Sequence, residues 1–225
     1  MSKALVHLVG RHKAKAALSE RLRGEVARLR AEKEGGVEAV NFLTALDNDP
    51  LGKRNNYAAT IEIRGESVDA VSAPLEGFSE RIGSLVHADL STALVGDDHA
   101  FIECEPALVR YQYLMRRNAE FDHEAYTKRY REIHSQFGVK TPGILSYVQF
   151  YVDPVASRSL AQAAGLGVWG VDSVSELHLT SIEDFIDAVV KDDSGAGAQT
   201  DEENFVDRRT SVYFTSTVDW DPDAA

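Results

Sequence analysis

A few imidazole and phenol side chains in the second half of the sequence could carry proton-transfer chemistry. His134 lies in an amphipathic stretch, about 80° around the helix from Tyr126 and beside the apolar stripe. Because a histidine has a usual pKa of about 6.5, it can accept and return a proton near neutral pH. We therefore take His134 as the leading general acid or base. The alternative is a histidine at the surface end of its helix.

A second histidine lies on a predicted strand. His178 is flanked by Leu177 and Leu179, so it points away from both and toward the same side as Glu176. One face of this strand is therefore polar. That face either lines a cavity, where His178 would be catalytic, or lies on an exposed strip.

Aromatic side chains on the strands and helices could form the walls of a binding site. Tyr111 and Tyr113 share one strand face, and both could offer hydroxyl groups to an oxygen atom of a ligand. Tyr111 completes the predicted catalytic set with His134 and His178, although such aromatics are commonly part of a core. The predicted substrate-binding residues are Tyr113, Tyr126, Tyr130, Trp169 and Tyr147.

Several other chemistries lack the residue patterns they need. The sequence has no GxxxxGK[ST] phosphate loop, and His123 and His134 are too far apart on one helix to share a metal ion. The single cysteine, Cys104, has no histidine near it in sequence, which argues against a thiol nucleophile. We therefore expect no metal and no cofactor.

Composition and charge limit the partners. The 225 residues are 44% hydrophobic and carry a formal net charge of -12, which is typical of a globular protein and unfavourable for binding a phosphate backbone. A basic stretch at residues 11–30 has no interleaved aromatics and is typical of a solvated helix face. No apolar run approaches the roughly 20 residues that span a bilayer. We expect a cytoplasmic protein that binds neither nucleic acid nor membrane.

The order of predicted elements occurs twice along the chain. Each half reads as strand, helix, strand, strand, helix, strand, and Leu5 corresponds to Val109 at an offset of 104 residues. The predicted strands are 4–9, 40–46, 57–64 and 91–104, then 108–115, 144–152, 169–179 and 210–218; the predicted helices are 13–34, 74–86, 122–137 and 181–190.

Two βαββαβ units are typical of tandem ferredoxin-like folds. Each sheet would leave one apolar face uncovered, so we predict an α+β protein in which the two units pack sheet to sheet as a fused barrel. The predicted units are residues 1–105 and 106–225. An Ala-rich insertion at 155–167 would precede the third strand of the second unit. The acidic, Gly- and Ser-containing stretch 191–204 is predicted to be a loop with little order.

Four ordered motifs in the second half resemble the EthD family of the dimeric α+β barrel superfamily. They are YLMRR at 113–117 with the following FDHEAY and YREIH, GILSYVQFY at 143–151, VSELHLTSIED at 174–184 and DEENFVD at 201–207. The first half matches only in element order and has no counterpart of His134. The resemblance therefore implies a first unit that is mainly structural and one working cavity per chain.

The resemblance also implies a class of function. Members of this family are associated with the catabolism of ethers and aromatic compounds and with polyketide-like pathways, and superfamily neighbours include isomerases, cyclases, monooxygenases and haem-using oxidases. We expect a cofactor-independent lyase, isomerase or oxygenase acting on a small hydrophobic or aromatic carbonyl or phenolic compound, with a homodimer as the candidate assembly. The alternative is an accessory protein that sequesters a hydrophobic metabolite.

Overall fold

The computed structural model describes residues 1–11, 15–52, 56–103, 106–192 and 195–223. Cys104, for which we expect no catalytic role, lies outside the described residues. The strands are β1 (Ser2–Leu8), β2 (Val37–Ala45), β3 (Ala59–Gly65), β4 (Thr92–Ile102), β5 (Val109–Met115), β6 (Ile144–Val152), β7 (Ser173–Leu179) and β8 (Val212–Asp219). The α-helices are α1 (Lys15–Ala31), α2 (Val68–Ser72), α3 (Phe78–Ile82), α4 (His123–Arg129), α5 (Ser135–Gly138), α6 (Pro154–Ala163), α7 (Ile182–Asp192) and α8 (Gly195–Phe205).

The strands form one closed antiparallel barrel. Within the first half the order is β4-β1-β3-β2, and within the second half the corresponding strands follow in the same ferredoxin-like order, β8-β5-β7-β6. The two sheets join edge to edge, because β2 pairs with β8 and β4 pairs with β6. The predicted α+β fold of two fused βαββαβ units is confirmed, and the closed barrel leaves neither sheet with an unpaired edge.

The helices cover the outside of the barrel. In the first half the predicted helix at 74–86 is instead the short helix α3 between two 3₁₀ turns, Ala73–Leu75 and Gly83–Leu85, and α2 precedes this range. Gly77 and Gly83, which flank α3, have φ of 62° and 63°, a left-handed backbone that interrupts the helix. Among the described residues no helix is long and apolar enough to cross a membrane.

The main apolar core lies between the first-half sheet and its helices. It includes Leu22, Phe42, Ile61, Val71 and Phe78, all almost fully buried. The Ala-rich insertion of the second half forms α6, which packs on β4, and Ser157 on α6 exchanges hydrogen bonds with the backbone of Val95. Large apolar side chains therefore fill the space beneath the first-half helices.

The inside of the barrel is not the apolar interface that the sequence suggests. Lys3 is fully buried there and donates to Glu176 over 2.6 Å, while Arg110 donates to Glu62 over 2.6 Å. Apolar residues such as Phe150, Phe214 and Val174 occupy the other part of the interior. Apolar side chains therefore form only part of the contact between the two sheets. Paired buried charges form the rest.

The prediction that the acidic stretch at 191–204 is a loop with little order is also wrong. Much of it is α8, which is anchored by the fully buried Phe205 and by the buried carboxyl group of Asp201. The anchor makes physical sense, because Asp201 and Phe205 are four residues apart and so lie on one helix face. The consequence is that two acidic residues are brought against the second-half sheet.

Candidate active site

A cavity of about 380 Å³ lies between the second-half sheet and its helices. Its walls come from the four strands of the second half, the end of the helical segment 123–138, and helices α7 and α8. Pro50 and Leu51 of the β2–β3 connection also line it, so the first half completes the mouth. The other lining residues are Tyr111, Tyr113, His134, Gly138, Thr141, Tyr147, Ser175, Leu177, Phe185, Val189, Ala198, Gln199, Glu202, Arg208 and Tyr213.

A wide helical turn positions His134 at this cavity. Helix α4 begins at Asp122, whose side chain accepts a hydrogen bond from the amide of Ala125, and it continues into a π-helical turn, Tyr130–His134. The carbonyl oxygen of Tyr130 also accepts a hydrogen bond from Gln149 Nε2 on β6, over 3.0 Å. Such wide turns are frequent at functional sites, and this one fixes His134 against the sheet.

Asp201 on α8 holds the imidazole ring. His134 Nδ1 lies 3.0 Å from Asp201 Oδ2. Because the other carboxylate oxygen of Asp201 is paired with Arg129, the carboxylate acts as the acceptor and Nδ1 carries the hydrogen. In neutral His134 this leaves the lone pair on Nε2.

Aromatic rings pack around the imidazole. The ring centroids of His134 and Tyr130 are 5.7 Å apart, and those of His134 and Phe205 are 5.4 Å apart. His134 is only 6% exposed. These contacts fix the orientation of the His134 imidazole ring and limit the approach of water to it.

The surroundings favour the neutral form of His134. Burial lowers the pKa of His134 below its usual 6.5, while the hydrogen bond to Asp201 and its charge oppose that shift and the Arg129 charge adds to it. The imidazole is therefore predominantly unprotonated at neutral pH, which is the state that a general base requires.

A second titratable group, Glu202, also lines the cavity. Its Oε1 atom lies 4.0 Å from His134 Nε2, and its Oε2 atom lies 3.4 Å from Arg208 Nε. The pKa of Glu202 is raised to about 7, chiefly by burial; the charge of Arg208 opposes the shift, and the charges of Asp201 and Glu203 add to it. At neutral pH the carboxyl group is thus divided between its protonated and ionised forms.

Tyrosine hydroxyls form part of the cavity wall. Tyr111, Tyr113 and Tyr147 all line it, as does Tyr213 from β8. Burial raises the pKa of Tyr111 and of Tyr113 above the usual 10, and the negative charge of Glu202 adds to the shift. These phenols remain protonated at neutral pH and can donate hydrogen bonds.

Two predicted binding residues lie behind the wall rather than on it. Tyr126 and Tyr130 are fully buried, and Tyr126 is hydrogen bonded to Ser173 through its hydroxyl group, over 2.7 Å. They pack against Phe205 and His134. Neither is among the residues that line the cavity, so the structure assigns them to support of the site.

Two further predicted residues lie elsewhere. Trp169 lines a different, smaller cavity and stacks on Arg116 at 5.3 Å. His178 points into the barrel, where its ring lies 5.9 Å from that of Trp220, so its assignment to the cavity is wrong. The alternation along β7 was correct, but the polar face is the barrel interior: Leu177, on the opposite face, lines the cavity. Burial lowers the pKa of His178 to about 4, with the charge of Arg110 adding to the shift.

Sequence reasoning gave Asp201 and Glu202 no role in the site, although both belong to the DEENFVD motif at 201–207. Their stretch is rich in acidic residues, Gly and Ser, a composition typical of a solvated loop. The signal that could have found them is the apolar pair Phe205 and Val206 at the end of the stretch, both now buried. A helix anchored at Phe205 carries Asp201 on the same face.

The residues at the cavity do not fit a haem group, which the resemblance to haem-using oxidases raises. His134 is the single imidazole of the lining, and its Nε2 already faces the carboxyl group of Glu202. A porphyrin carries acidic side chains, whereas Arg208, the one cation that the described residues contribute to the lining, is paired with Glu202 and Glu203. Within the described part of the chain no group of three or more metal-ligating side chains is present either. We derive no step through a haem or a metal ion.

Comparisons with known proteins place the fold. Residues 118–209 match the family model of the EthD domain, and no curated protein matches the chain. An anthrone oxidase-like protein is similar in structure with a TM-score of 0.66, at 11% identity over 100% of this chain and 94% of that one. A candidate monooxygenase from Lactobacillus acidophilus has a TM-score of 0.55, at 11% identity over 96% and 93%. A variant chlorite dismutase from Candidatus Nitrospira defluvii has a TM-score of 0.56, at 12% identity over 96% and 91%. At these identities the likeness shows the fold alone.

Proposed function

We propose that this chain, whose second half belongs to the EthD domain family, is a cofactor-independent enzyme that removes a proton from a small aromatic carbonyl or phenolic compound. The observation that carries the proposal is the pair His134 and Asp201. One ring nitrogen is held by a carboxylate, and the other belongs to a largely neutral imidazole that lines the cavity. That arrangement suits a general base.

The proposed step is transfer of a proton from carbon or oxygen of the substrate to His134 Nε2. Asp201 keeps Nδ1 protonated and stabilises the imidazolium that forms, as a carboxylate does in other catalytic pairs. Because His134 is itself buried, the positive charge on His134 and the negative charge on the substrate attract each other more strongly than in solution.

The cavity lining supports an aromatic substrate. Its aromatic rings include Tyr111 and Phe185, whose centroids are 6.5 Å apart, and Tyr213, at 6.0 Å from Tyr111. Leu51, Leu177 and Val189 add apolar surface. A volume of about 380 Å³ is at the lower end of the range for small-molecule sites. A compact ring system with one or two oxygen atoms matches both the size and the chemistry.

The likeness to an anthrone oxidase-like protein suggests the first probe to use. Anthrone is an aromatic ketone with an acidic methylene group. Under anaerobic conditions in D₂O, the protein should speed the exchange of that methylene with deuterium, as followed by proton NMR. Excluding oxygen separates proton transfer from any later oxidation.

The same experiment distinguishes an enzyme from a sequestering protein. Saturable acceleration of exchange supports the enzyme. Tight binding of anthrone in calorimetry without faster exchange would favour the carrier, and would contradict the proposal. The choice among isomerase, lyase and oxygenase follows from which product accumulates when oxygen is admitted. The homodimer and the structural role of the first half remain predictions, to be tested by light scattering and by the location of bound ligand.

A further inference from the structure

We infer that Glu202 is the general acid of this site, which donates a proton to the substrate oxygen while His134 removes a proton from the adjacent carbon. The inference rests on the proposed function and extends it to a second residue, on α8. It also narrows the substrate to compounds whose oxygen gains a proton as the carbon loses one, namely enolisable aromatic ketones.

The geometry places both groups on the same side of the cavity. Glu202 Oε1 lies 4.0 Å from His134 Nε2, too far for a direct hydrogen bond. The gap suits a substrate fragment, because a carbonyl oxygen and a hydrogen on the neighbouring carbon are separated by only three bonds. Each atom can then face its own partner in one bound pose.

Arg208 determines which oxygen of Glu202 is free to act. The guanidinium Nε lies 3.4 Å from Oε2. Oε2 is thereby occupied, whereas Oε1 is directed toward His134. The side chain is 13% exposed, so the proton on Oε1 is presented to the cavity.

The neighbouring tyrosines are poorer proton donors. Tyr111 and Tyr113 can donate hydrogen bonds, yet their raised pKa values keep both phenols protonated at neutral pH. Glu202 can release and regain a proton there. At a pH near its pKa, a carboxyl group is protonated in a large fraction of molecules and still gives up its proton readily.

Charged and titratable groups from several elements face Glu202. Asp201 and Glu203 on α8 favour its protonated form, and Arg208, before β8, favours its ionised form. His134, neutral at neutral pH, adds little charge. Tyr111 and Tyr113 on β5 are uncharged. Two acidic neighbours and burial therefore act against one arginine.

The step balances without any further reactant. The carbon–hydrogen bond breaks and its proton bonds to Nε2, while its electron pair forms a carbon–carbon double bond. The carbonyl π electrons then take the proton of Oε1, giving the enol. The reverse step restores the ketone, and in D₂O it returns a deuteron to the carbon.

The test is the pH profile of anaerobic deuterium exchange into 2-tetralone, whose acidic benzylic hydrogens lie on the carbon next to the carbonyl group, by three proteins: wild type, Glu202→Gln and Glu202→Asp. In wild type the rate should rise as His134 loses its proton below pH 6.5 and fall as Glu202 ionises at about pH 7. Glu202→Gln should lose about 10²-fold or more in rate together with the fall on the alkaline side. Glu202→Asp should keep that fall at a reduced rate.

A control and an independent readout separate this inference from the proposed function. Glu183→Gln makes the same substitution at an exposed glutamate on α7 that is not part of the cavity lining, and it should change the rate by less than about threefold. Carbon-13 NMR of labelled glutamate should show one carboxyl group titrating near pH 7 that is missing from Glu202→Gln.

Each contradictory outcome identifies which claim fails. Absence of exchange in wild type contradicts the proposed function. Normal wild-type exchange with an unchanged rate and alkaline fall in Glu202→Gln contradicts the acid role alone. Absence of a carboxyl group titrating near pH 7 contradicts the acid role whatever the rates are.

Discussion

Replacing Asp201 with asparagine tests how the imidazole is held. Asparagine keeps the size of the side chain and an oxygen acceptor for His134 Nδ1, but it removes the charge that pairs with Arg129. The variant therefore separates electrostatics from geometry.

The expected change in the pKa of His134 follows from the kind of hydrogen bond that is lost. A bond to a charged acceptor contributes about 1.5–3 kcal/mol and a neutral one about 0.5–1.5 kcal/mol. The difference of about 1–1.5 kcal/mol corresponds to about one pKa unit. Asp201 raises the pKa of His134 against the effect of burial, so Asp201→Asn should lower that pKa by about one unit.

Nitrogen-15 NMR of labelled histidine measures both consequences. In wild type at pH 7 the spectrum of His134 should show hydrogen on Nδ1 and none on Nε2, and the variant should titrate about one unit lower. The rate of deuterium exchange should fall about 10- to 100-fold, as for other residues that orient a reactive side chain. Asp184→Asn, an exposed change at the start of α7, is the matched control. An unchanged pKa in Asp201→Asn, or hydrogen on Nε2 in wild type, would refute the assignment of roles.

Three other expectations concern the cavity, the barrel and the cofactor content. In Gly138→Ala the new Cβ would lie 2.1 Å from Tyr147 Cε1, so the cavity wall should shift and anthrone affinity should fall, as calorimetry can show; unchanged affinity would contradict the position of the site. His178 has a pKa lowered to about 4 when folded, so the unfolded chain binds more protons below pH 6.5 and the free energy of unfolding should drop as pH falls from 6.5 toward 4. In His178→Gln that drop should shrink by about 1–3 kcal/mol in urea titrations, and an equal drop in both proteins would argue against a buried neutral His178. The purified protein should show no Soret or flavin absorption band, and a stoichiometric band would overturn the cofactor-free mechanism.

The sequence was informative where a local pattern determines the outcome. The alternation of Tyr111 and Tyr113 with polar residues correctly predicted a shared face, because strand geometry alone fixes it. The position of His134 beside the apolar stripe of its helix was likewise predicted from the spacing of residues. Repetition of the strand and helix order then predicted two units that close into one barrel.

The sequence was misleading where the environment of a face comes from distant parts of the chain. His178 and Glu176 form a polar strand face, and such faces usually meet solvent or a ligand. Here the face meets Lys3 and Arg110, which lie on β1 and β5, so charges compensate one another inside the barrel. No property of residues 173–179 alone could indicate that pairing.

The acidic residues of α8 illustrate the same limit. The composition around Asp201 predicts a loop, because composition does not indicate which charged side chains become buried. The burial depends on Phe205 packing between Tyr126 and His134, a tertiary contact. The two residues that complete the candidate site thus lay in the segment that seemed the least structured.

The central claim is that His134 is the base of an enzymatic proton transfer, and one ratio tests it most directly. The rate of anaerobic deuterium exchange into anthrone at pH 7 should be about 10² to 10⁴ times higher for wild type than for His134→Gln. It should be unchanged in His123→Gln, a histidine of the same helical segment that is bonded to Asp172 and is not part of the cavity lining. A ratio near one between wild type and His134→Gln would contradict the account.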